Sequence, residues 1–294
     1  MIFPFIVIAI LFWASTCVGV RAVLVDYHPM DIAVLRFVIS SIILLFIAIP
    51  AKIKLPDYRD WFSFIQLGVV LFINMIALNY GMLTITAGET NLIVSTSQLF
   101  QVLLAWLFLK ERISLRFLIG LFCCFSGILI IAFQNSIGSG GNAGIIFVLF
   151  AAITNAIYFI SQKPLLKKYK PIEVISYAIW TATLMTLPFG RKVIEVIPTA
   201  SIDSTITAIY IGIATLIANL CWTKTLSNIE ASRAATFLYA VPVSTIIIGF
   251  LWLNELPSML SCIGGAVIFG GIILSNMAGQ SAEHTKILNR YSGS

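Results

Sequence analysis

The sequence predicts an all-α membrane protein with ten transmembrane helices arranged as a 5+5 inverted-topology repeat. Its composition indicates a membrane environment: 60% of the 294 residues are hydrophobic and only 10% are charged, whereas about a quarter of the residues of a soluble domain are charged. The apolar runs reach roughly 18 to 22 residues, the length of a helix that crosses the hydrocarbon core. The strands of a membrane barrel would instead show alternating segments of about ten residues.

Apolar runs bounded by charged residues, proline or glycine divide the chain into ten predicted spans. The first five are 2–20, 30–49, 61–80, 91–109 and 115–133, and the second five are 143–161, 172–189, 206–222, 234–253 and 259–276. The first run has no Lys or Arg before Arg21. It therefore lacks the positive segment that begins a signal peptide, and we expect it to be retained as a span.

The predicted spans fall into two halves on either side of an uncharged connector rich in Gly and Ser. We predict a first five-helix repeat at 1–133, a flexible connector at 134–142, a second five-helix repeat at 143–276 and a polar cytoplasmic tail at 277–294. A Gly/Ser-rich segment behaves as a flexible linker, so the connector marks the boundary between the halves.

Short motifs recur between the halves at nearly constant spacing. The segment from Leu107 to Ser114, followed by Gly120 and Gly127, has a counterpart 144 residues later, from Leu251 to Ser258, followed by Gly264 and Gly271. The segment beginning His28-Pro-Met-Asp has a counterpart at Lys170-Pro-Ile-Glu, 142 residues later. Because each repeat has an odd number of spans, the two copies enter the membrane in opposite senses, which predicts an inverted repeat.

The basic residues predict the orientation. With the N-terminus in the cytoplasm, fourteen Lys and Arg residues fall on the cytoplasmic side, three (Arg21, Arg191 and Lys192) on the other side, and Arg36 within a span. Positively charged loops stay in the cytoplasm, so we expect a multi-pass protein of the cell (inner) membrane with both termini cytoplasmic. This topology explains the pI near 9.1, and no nucleic-acid partner is predicted.

With these motifs the chain resembles the drug/metabolite transporter superfamily, specifically its EamA-like ten-span group. The resemblance is carried by 109–114 with Gly120 and Gly127, by 253–258 with Gly264 and Gly271, and by Trp13, Arg36-Phe37 and Pro242. It implies a central cavity lined mainly by spans 1, 3, 4, 6, 8 and 9, with spans 5 and 10 at the periphery. It also implies helix breaks in the fourth and ninth spans. Gln98 stands where the second half has Pro242, so we expect the weaker break in the fourth span.

Polar and aromatic residues within the inner spans are the candidates for substrate binding. They are Trp13, Ser15, Asn74, Asn79, Tyr80, Ser97, Gln98, Gln101, Asn155, Tyr158, Gln162, Tyr210, Asn219, Trp222 and Tyr239. For each of them a hydrogen bond between helices is the alternative role, and Tyr80 is also placed to anchor a span at the interface. Uncharged hydrogen-bonding groups together with aromatic rings suit a small polar or amphipathic metabolite.

Four charged residues are candidates for gating or charge recognition: Arg36, Glu89, Glu111 and Glu255. A charge inside a membrane span suggests a functional role and needs a partner. For Arg36 we consider a structural pair with Asp31 or Glu89, a snorkelling side chain, and contact with an anionic substrate. Glu111 and Glu255 lie at the turns that follow spans 4 and 9, where a helix-capping or interface role is the alternative to a gate.

The sequence lacks the motifs that would indicate a metal site, an enzyme or an ATP-binding protein. The two histidines lie outside the apolar runs and the five cysteines form no CxxC pair, so neither a metal site nor another cofactor is predicted. No clustered acids or histidines indicate an enzyme, and no Walker loop indicates ATP binding. We expect a secondary transporter, monomeric or homodimeric in the bilayer, that exports small metabolites; the resemblance makes amino acids the leading class. Uptake or exchange on the same fold remains open, with a membrane enzyme or a purely structural role as further alternatives.

Overall fold

The computed structural model of the protein consists of helices joined by turns and loops in the residues that it describes, which are 2–109, 115–137, 143–228, 237–238 and 240–274. In the first half the helices are α1 (Phe3–Val23), α2 (Pro29–Ala51), α3 (Trp61–Gly81), α4 (Ala87–Val94), α5 (Ser97–Leu109) and α6 (Leu115–Ile137). In the second half they are α7 (Ala143–Leu166), α8 (Pro171–Thr186), a 3₁₀ turn (Leu187–Phe189), α9 (Gly190–Val196), α10 (Ile202–Leu226), α11 (Ala240–Leu253) and α12 (Met259–Leu274).

Six segments of the described chain are long and apolar enough to cross a bilayer. They are Phe3–Val23, Pro29–Ala51, Trp61–Gly81, Ala143–Leu166, Pro171–Val196 and Ile202–Leu226. Shorter apolar helices occupy Leu118–Ile131, Ala240–Leu253 and Met259–Leu274. Large apolar side chains such as Phe46, Phe122 and Leu251 lie about three-quarters exposed on the outside of the bundle, where lipid replaces water as the solvent. The chain is thus an all-α, multi-pass membrane protein, and the ten-span count stays a prediction.

The repeated motif at 28–31 and 170–173 is a helix start. Pro29 and Pro171 are the first residues of α2 and α8, where proline costs no hydrogen bond. The carboxylate of Asp31 accepts a hydrogen bond from the backbone N–H of His28 at 3.1 Å, and that of Glu173 accepts one from Lys170 at 2.8 Å. Both acids satisfy a backbone donor of the first helical turn, which explains why an acid recurs three residues after the cap.

The fourth predicted span differs from the expectation. It begins at Ala87 rather than at residue 91, and it is divided into α4 and α5 at Ser95 and Thr96. The hydroxyls of these two residues donate to the carbonyls of Leu92 (2.6 Å) and Ile93 (2.7 Å). The polar pair therefore satisfies carbonyls that the helix end leaves free, and the chain breaks without a proline. The break expected in the ninth span lies outside the described residues, because 229–236 and 239 are not among them.

The seventh span also extends further than predicted. The apolar segment does not end at residue 189 but continues through a 3₁₀ turn into α9, which ends at Val196. Pro188 lies in that turn. Because proline has no backbone N–H to donate and its ring crowds the preceding turn, the helix changes direction there without ending the apolar segment.

Most of the close helix packing joins the two halves. Helix α1 packs on α10 and α11, and its counterpart α7 packs on α3, α4 and α5. Helix α2 packs on α8 and α10, and α8 in turn packs on α3. If each helix is replaced by its counterpart in the other half, the pairing of α1 with α10 becomes that of α7 with α3, and the pairing of α2 with α10 becomes that of α8 with α3. The pairing of α2 with α8 is converted into itself. This is the packing that a two-fold relation between the halves requires.

Two contacts join residues to their own counterparts in the other half. The hydroxyls of Ser41 and Thr183 lie 2.6 Å apart and 142 residues apart in sequence. The thiol of Cys124 lies 3.3 Å from the carbonyl oxygen of Ile268, 144 residues away. Equivalent residues can touch only beside the axis that relates them. Both contacts thus support an axis that passes between α2 and α8 and between α6 and α12.

The repeated glycines lie where α6 crosses α12. A Cβ atom on Gly127 would meet the carbonyl oxygen of Gly264, and one on Gly271 would meet that of Gly120. Small residues let the backbones of two membrane helices approach closely. The repeated glycines therefore serve the packing of α6 on α12.

The connections form two groups at opposite ends of the bundle. At one end, which we call the α1–α2 end, the carboxylate of Asp26 accepts a hydrogen bond from the hydroxyl of Ser201 at 2.6 Å. At the other end, the α2–α3 end, the carboxylate of Asp60 accepts one from the ammonium group of Lys168 at 3.0 Å. The bond from Lys168 is the main cause that holds the pKa of Asp60 below its usual value. Each end thus ties a loop of one half to a loop of the other.

Candidate binding cavity

A central cavity lies between the two halves, with about 830 Å³ of space that is free of protein atoms and partly open to the outside. Helices α1 to α5 of the first half and α7, α10 and α11 of the second contribute to its wall. The lining residues are Trp13, Thr16, Cys17, Arg36, Met75, Leu78, Met82, Asn91, Val94, Ser95, Ser97, Gln98, Asn155, Phe159, Thr215, Leu238, Val241 and Pro242.

The lining spans agree with those that the resemblance implied, with one addition. Spans 1, 3, 4, 6, 8 and 9 supply every described lining residue except Arg36, which comes from the second span. The break between α4 and α5 also faces the cavity through Ser95 and Ser97. Irregular backbone at membrane depth is tolerated where it borders a cavity, so the break and the cavity occur together.

Five of the residues predicted from sequence line this cavity: Trp13, Arg36, Ser97, Gln98 and Asn155. Asn155 is the counterpart of Trp13 in the other half, and the two residues present different chemistry to the same space. Gln101 and Trp222 instead line a smaller pocket of about 300 Å³ that shares Phe159 and Leu238 with the central cavity.

Three predicted asparagines donate to backbone carbonyls, two of them across a helix interface. The side-chain amide of Asn74 donates to the carbonyl of Ala151 at 2.7 Å, which joins α3 to α7. The amide of Asn79 donates to the carbonyl of Pro29 at 2.9 Å, and that of Asn219 donates to the carbonyl of Thr215, one turn earlier in its own helix, at 3.0 Å. None of the three lines the central cavity in the described structure.

The remaining predicted aromatic and hydroxyl residues also lie away from it. Ser15 and Tyr210 share a hydrogen bond of 2.6 Å between α1 and α10. The ring of Tyr80 contacts those of His28 and Phe147 near the α1–α2 end. Tyr158 is 3% exposed and packs in the core between the helices.

Three further predicted residues remain. Gln162 is buried and accepts a hydrogen bond from Thr223 at 3.4 Å. Tyr239 and Glu111 lie outside the described residues.

Sequence reasoning missed most of the apolar lining and several hydroxyls. Met75, Leu78 and Met82 carry no signal that separates a cavity wall from a packed core. Asn91, Ser95 and Thr215 are polar residues inside apolar runs, so a search extended to every buried polar residue would have found them.

Arg36 carries a positive charge on the cavity wall. Its side chain is 5% exposed, and its Nη1 atom lies 2.7 Å from the sulfur of Met75. Neither of the acids considered as partners pairs with it. Asp31 accepts from the backbone of His28, and Glu89 accepts from the backbone and hydroxyl of Thr86. No ion pair of Arg36 occurs within the described residues.

Three aromatic rings separate the central cavity from the α2–α3 end. The ring centroid of Trp13 lies 5.3 Å from that of Trp222 and 6.3 Å from that of Phe159. Phe159 and Trp222 are 6.1 Å apart. These three rings, which we call the aromatic layer, come from α1, α7 and α10, so both halves contribute to it.

An ion pair lies between the cavity and the α1–α2 end. The Nε atom of Arg21 at the end of α1 is 3.1 Å from the carboxylate of Glu255 in the connection between α11 and α12. The same guanidinium donates to the carbonyl of Met82 at 2.8 Å. Both side chains of the pair are about 30% exposed, at 30% and 27%. The pair joins one half to the other on the α1–α2 side of Cys17. The thiol of Cys17 lies 3.8 Å from the sulfur of Met82.

Comparison with known proteins places these features in a family. The family model described as the EamA-like transporter family matches residues 1–133 and 142–277. An uncharacterized transporter of Bacillus subtilis is 35% identical over 88% of this chain and 86% of its own length. A probable terminal-alkyne amino-acid exporter of Streptantibioticus cattleyicolor is 29% identical over 92% of each chain. One crystal structure superposes with a TM-score of 0.64 at 16% identity, covering 93% of this chain and 96% of that one, and shows the same fold.

Proposed function

Since this chain belongs to the EamA-like transporter family, we propose that it exports amino acids or related small amphipathic metabolites by alternating access through the central cavity. The observation that carries the proposal is the cavity itself, which lies between two halves that pack with two-fold pairing. The amino-acid class is supported by the relative named as an amino-acid exporter.

The two five-helix units of the proposal are residues 1–133 and 143–276, joined by the connector 134–142. Opposite orientation of the units lets each half adopt the conformation of the other, which opens a midplane site to each side in turn. The ion pair of Arg21 with Glu255 and the aromatic layer would then be the barriers on the two sides of the cavity. Both barriers are formed in this structure, and movement of the halves against each other would open one of them at a time.

The orientation follows from the charge distribution. Lys and Arg in the loops favour the cytoplasm, which puts the α2–α3 end, with Lys163, Lys167, Lys168 and Lys170, inside the cell. The α1–α2 end then faces outward, and both termini are cytoplasmic in the cell membrane. Transport rather than chemical conversion is supported by the family model and by the relatives that are named as transporters.

The direct test is counterflow in proteoliposomes that contain the purified full chain. Vesicles loaded with unlabelled leucine, methionine, phenylalanine or tryptophan are diluted into the labelled amino acid, with and without a pH gradient. We expect saturable accumulation of label for at least one of the four. Imposed gradients in either direction then separate export from uptake, the alternative on the same fold.

A pair of variants identifies the route. Asn155→Trp puts an indole into the cavity and should abolish counterflow, whereas Ile42→Trp adds the same ring on the outside, where Ile42 is 49% exposed, and should leave counterflow intact. Equal transport by both variants, or no movement of any amino acid by the wild type, contradicts the proposal.

A further inference from the structure

Arg36 brings a full positive charge into a cavity that otherwise has neutral walls. A guanidinium stays protonated at every physiological pH, and its Nε atom has no hydrogen-bond partner among the described residues. A buried charge without a partner is strongly unfavourable in a membrane. Its counterpart in the other half is Ala178, so the fold does not need a cation at this position.

Three acids that could pair with Arg36 are engaged elsewhere. Asp31 and Glu89 are held in the first turns of α2 and α4, and Glu255 is paired with Arg21. The described lining of the cavity contains no carboxylate. The counter-charge of Arg36 must therefore come from outside this set of residues.

We propose that Arg36 binds the carboxylate of the transported molecule; this inference rests on the proposed function. A guanidinium binds a carboxylate through two parallel hydrogen bonds, which fixes orientation as well as charge. One cation matches one singly charged carboxylate. A phosphate ester carries more charge, and the described lining of the cavity holds no second cation. Lys163 lines the smaller pocket, which shares Phe159 with the cavity.

Two further features of the wall agree with this assignment. Helix α5 begins at Ser97 on the cavity wall, and the start of a helix carries a partial positive charge. The ring of Trp13 and the amide oxygen of Asn155 offer an ammonium group a π face and an acceptor. Met75, Leu78 and Met82 line the remaining wall and suit an apolar side chain. The structure thus selects monocarboxylates with an apolar body, α-amino acids among them.

Binding to the purified full chain tests this inference separately from transport. The probes are two matched pairs: 3-phenylpropionate with 3-phenylpropanamide, and L-phenylalanine with L-phenylalaninamide. Within each pair a carboxylate is replaced by a neutral amide of nearly the same size. Thermal unfolding in detergent gives the apparent dissociation constant of each probe. We expect each carboxylate to bind at least tenfold more tightly than its amide.

The variant Arg36→Gln should abolish this preference, so that carboxylate and amide bind equally, while Arg36→Lys keeps part of it. Arg191→Gln is the matched control, because Arg191 is 91% exposed and pairs with Glu195 outside the cavity; it should keep the full preference. Amides that bind the wild type as tightly as the carboxylates overturn the inference, even if Arg36→Gln does not fold. A preference that survives in Arg36→Gln also overturns it. If carboxylates bind by way of Arg36 but no amino acid moves in counterflow, the proposed function fails and the binding site stands.

Discussion

At the scale of single residues, the amides in the apolar spans divide into two groups that the sequence does not separate. Asn155 faces the cavity, whereas Asn74 and Asn79 each donate to a backbone carbonyl of a neighbouring helix. A buried amide must find a partner in either case. Which partner it finds depends on the rotation of its helix about its own axis, and a uniformly apolar helix gives little information on that angle.

Replacing these amides should separate transport from stability. We expect Asn155→Ala to reduce counterflow at least several-fold while thermal unfolding in detergent changes little, because its side chain faces the cavity. Asn74→Ala should lower the free energy of unfolding by about 1 kcal/mol, since a net buried hydrogen bond contributes about that much. The opposite pattern, with Asn155→Ala unstable and Asn74→Ala unable to transport, would contradict these two assignments.

At the scale of helices, repeated motifs correspond to repeated structural tasks. The acid after proline caps α2 and α8, and the glycines form the crossing of α6 with α12. The break between α4 and α5 lacks a comparable sequence signal, since it depends on two hydroxyl residues rather than on proline. Ser and Thr also occur inside unbroken membrane helices, so their presence alone does not predict a break.

Neighbouring glycines of α12 provide a matched test of the crossing. A Cβ atom on Gly271 would meet the carbonyl of Gly120 and the thiol of Cys124, whereas one on Gly270 would meet nothing within 4 Å. We expect Gly271→Val to lower the free energy of unfolding by about 1–3 kcal/mol, the usual cost of overpacking. Gly270→Val should unfold at nearly the wild-type temperature. Equal stability of the two variants would mean that α6 and α12 do not cross at these residues.

At the scale of the whole molecule, the charges at the two ends are related by the repeat. The residue 142 positions after Arg21 is Lys163, and the residue 144 positions before Glu255 is Glu111. Glu111 lies outside the described residues, so its part rests on the sequence alone. The inverted repeat therefore predicts that Lys163 and Glu111 form an ion pair at the α2–α3 end once the halves have exchanged conformations. That ion pair would replace the one between Arg21 and Glu255 in this structure.

Labelling of Cys17 should report which end is open, because this residue lines the cavity just below Arg21. The experiment uses a background in which the other four cysteines are replaced. We expect Glu255→Gln to raise the rate at which maleimide labels Cys17 by up to about fivefold, because a partly exposed ion pair contributes up to about 1 kcal/mol. Lys163→Gln should lower the rate.

Glu195→Gln is the control for this labelling experiment, because Glu195 belongs to an exposed pair at the surface. Its labelling rate should equal that of the background. Indistinguishable rates for Glu255→Gln and Glu195→Gln would show that the Arg21–Glu255 pair does not close the cavity.

The sequence by itself determined the membrane class, the helical structure and the family motifs, because hydropathy and helix-starting patterns are local properties of the chain. It also identified Trp13, Gln98 and Asn155 as candidates that do line the cavity, and Arg36 as an intramembrane charge. Only the tertiary structure decided that Arg36 has no acid partner among the described residues, that Asn74 and Asn79 serve packing, and that Met75 and Met82 form part of the wall. These outcomes depend on how helices from two distant halves rotate and cross, and packing between the halves sets those angles.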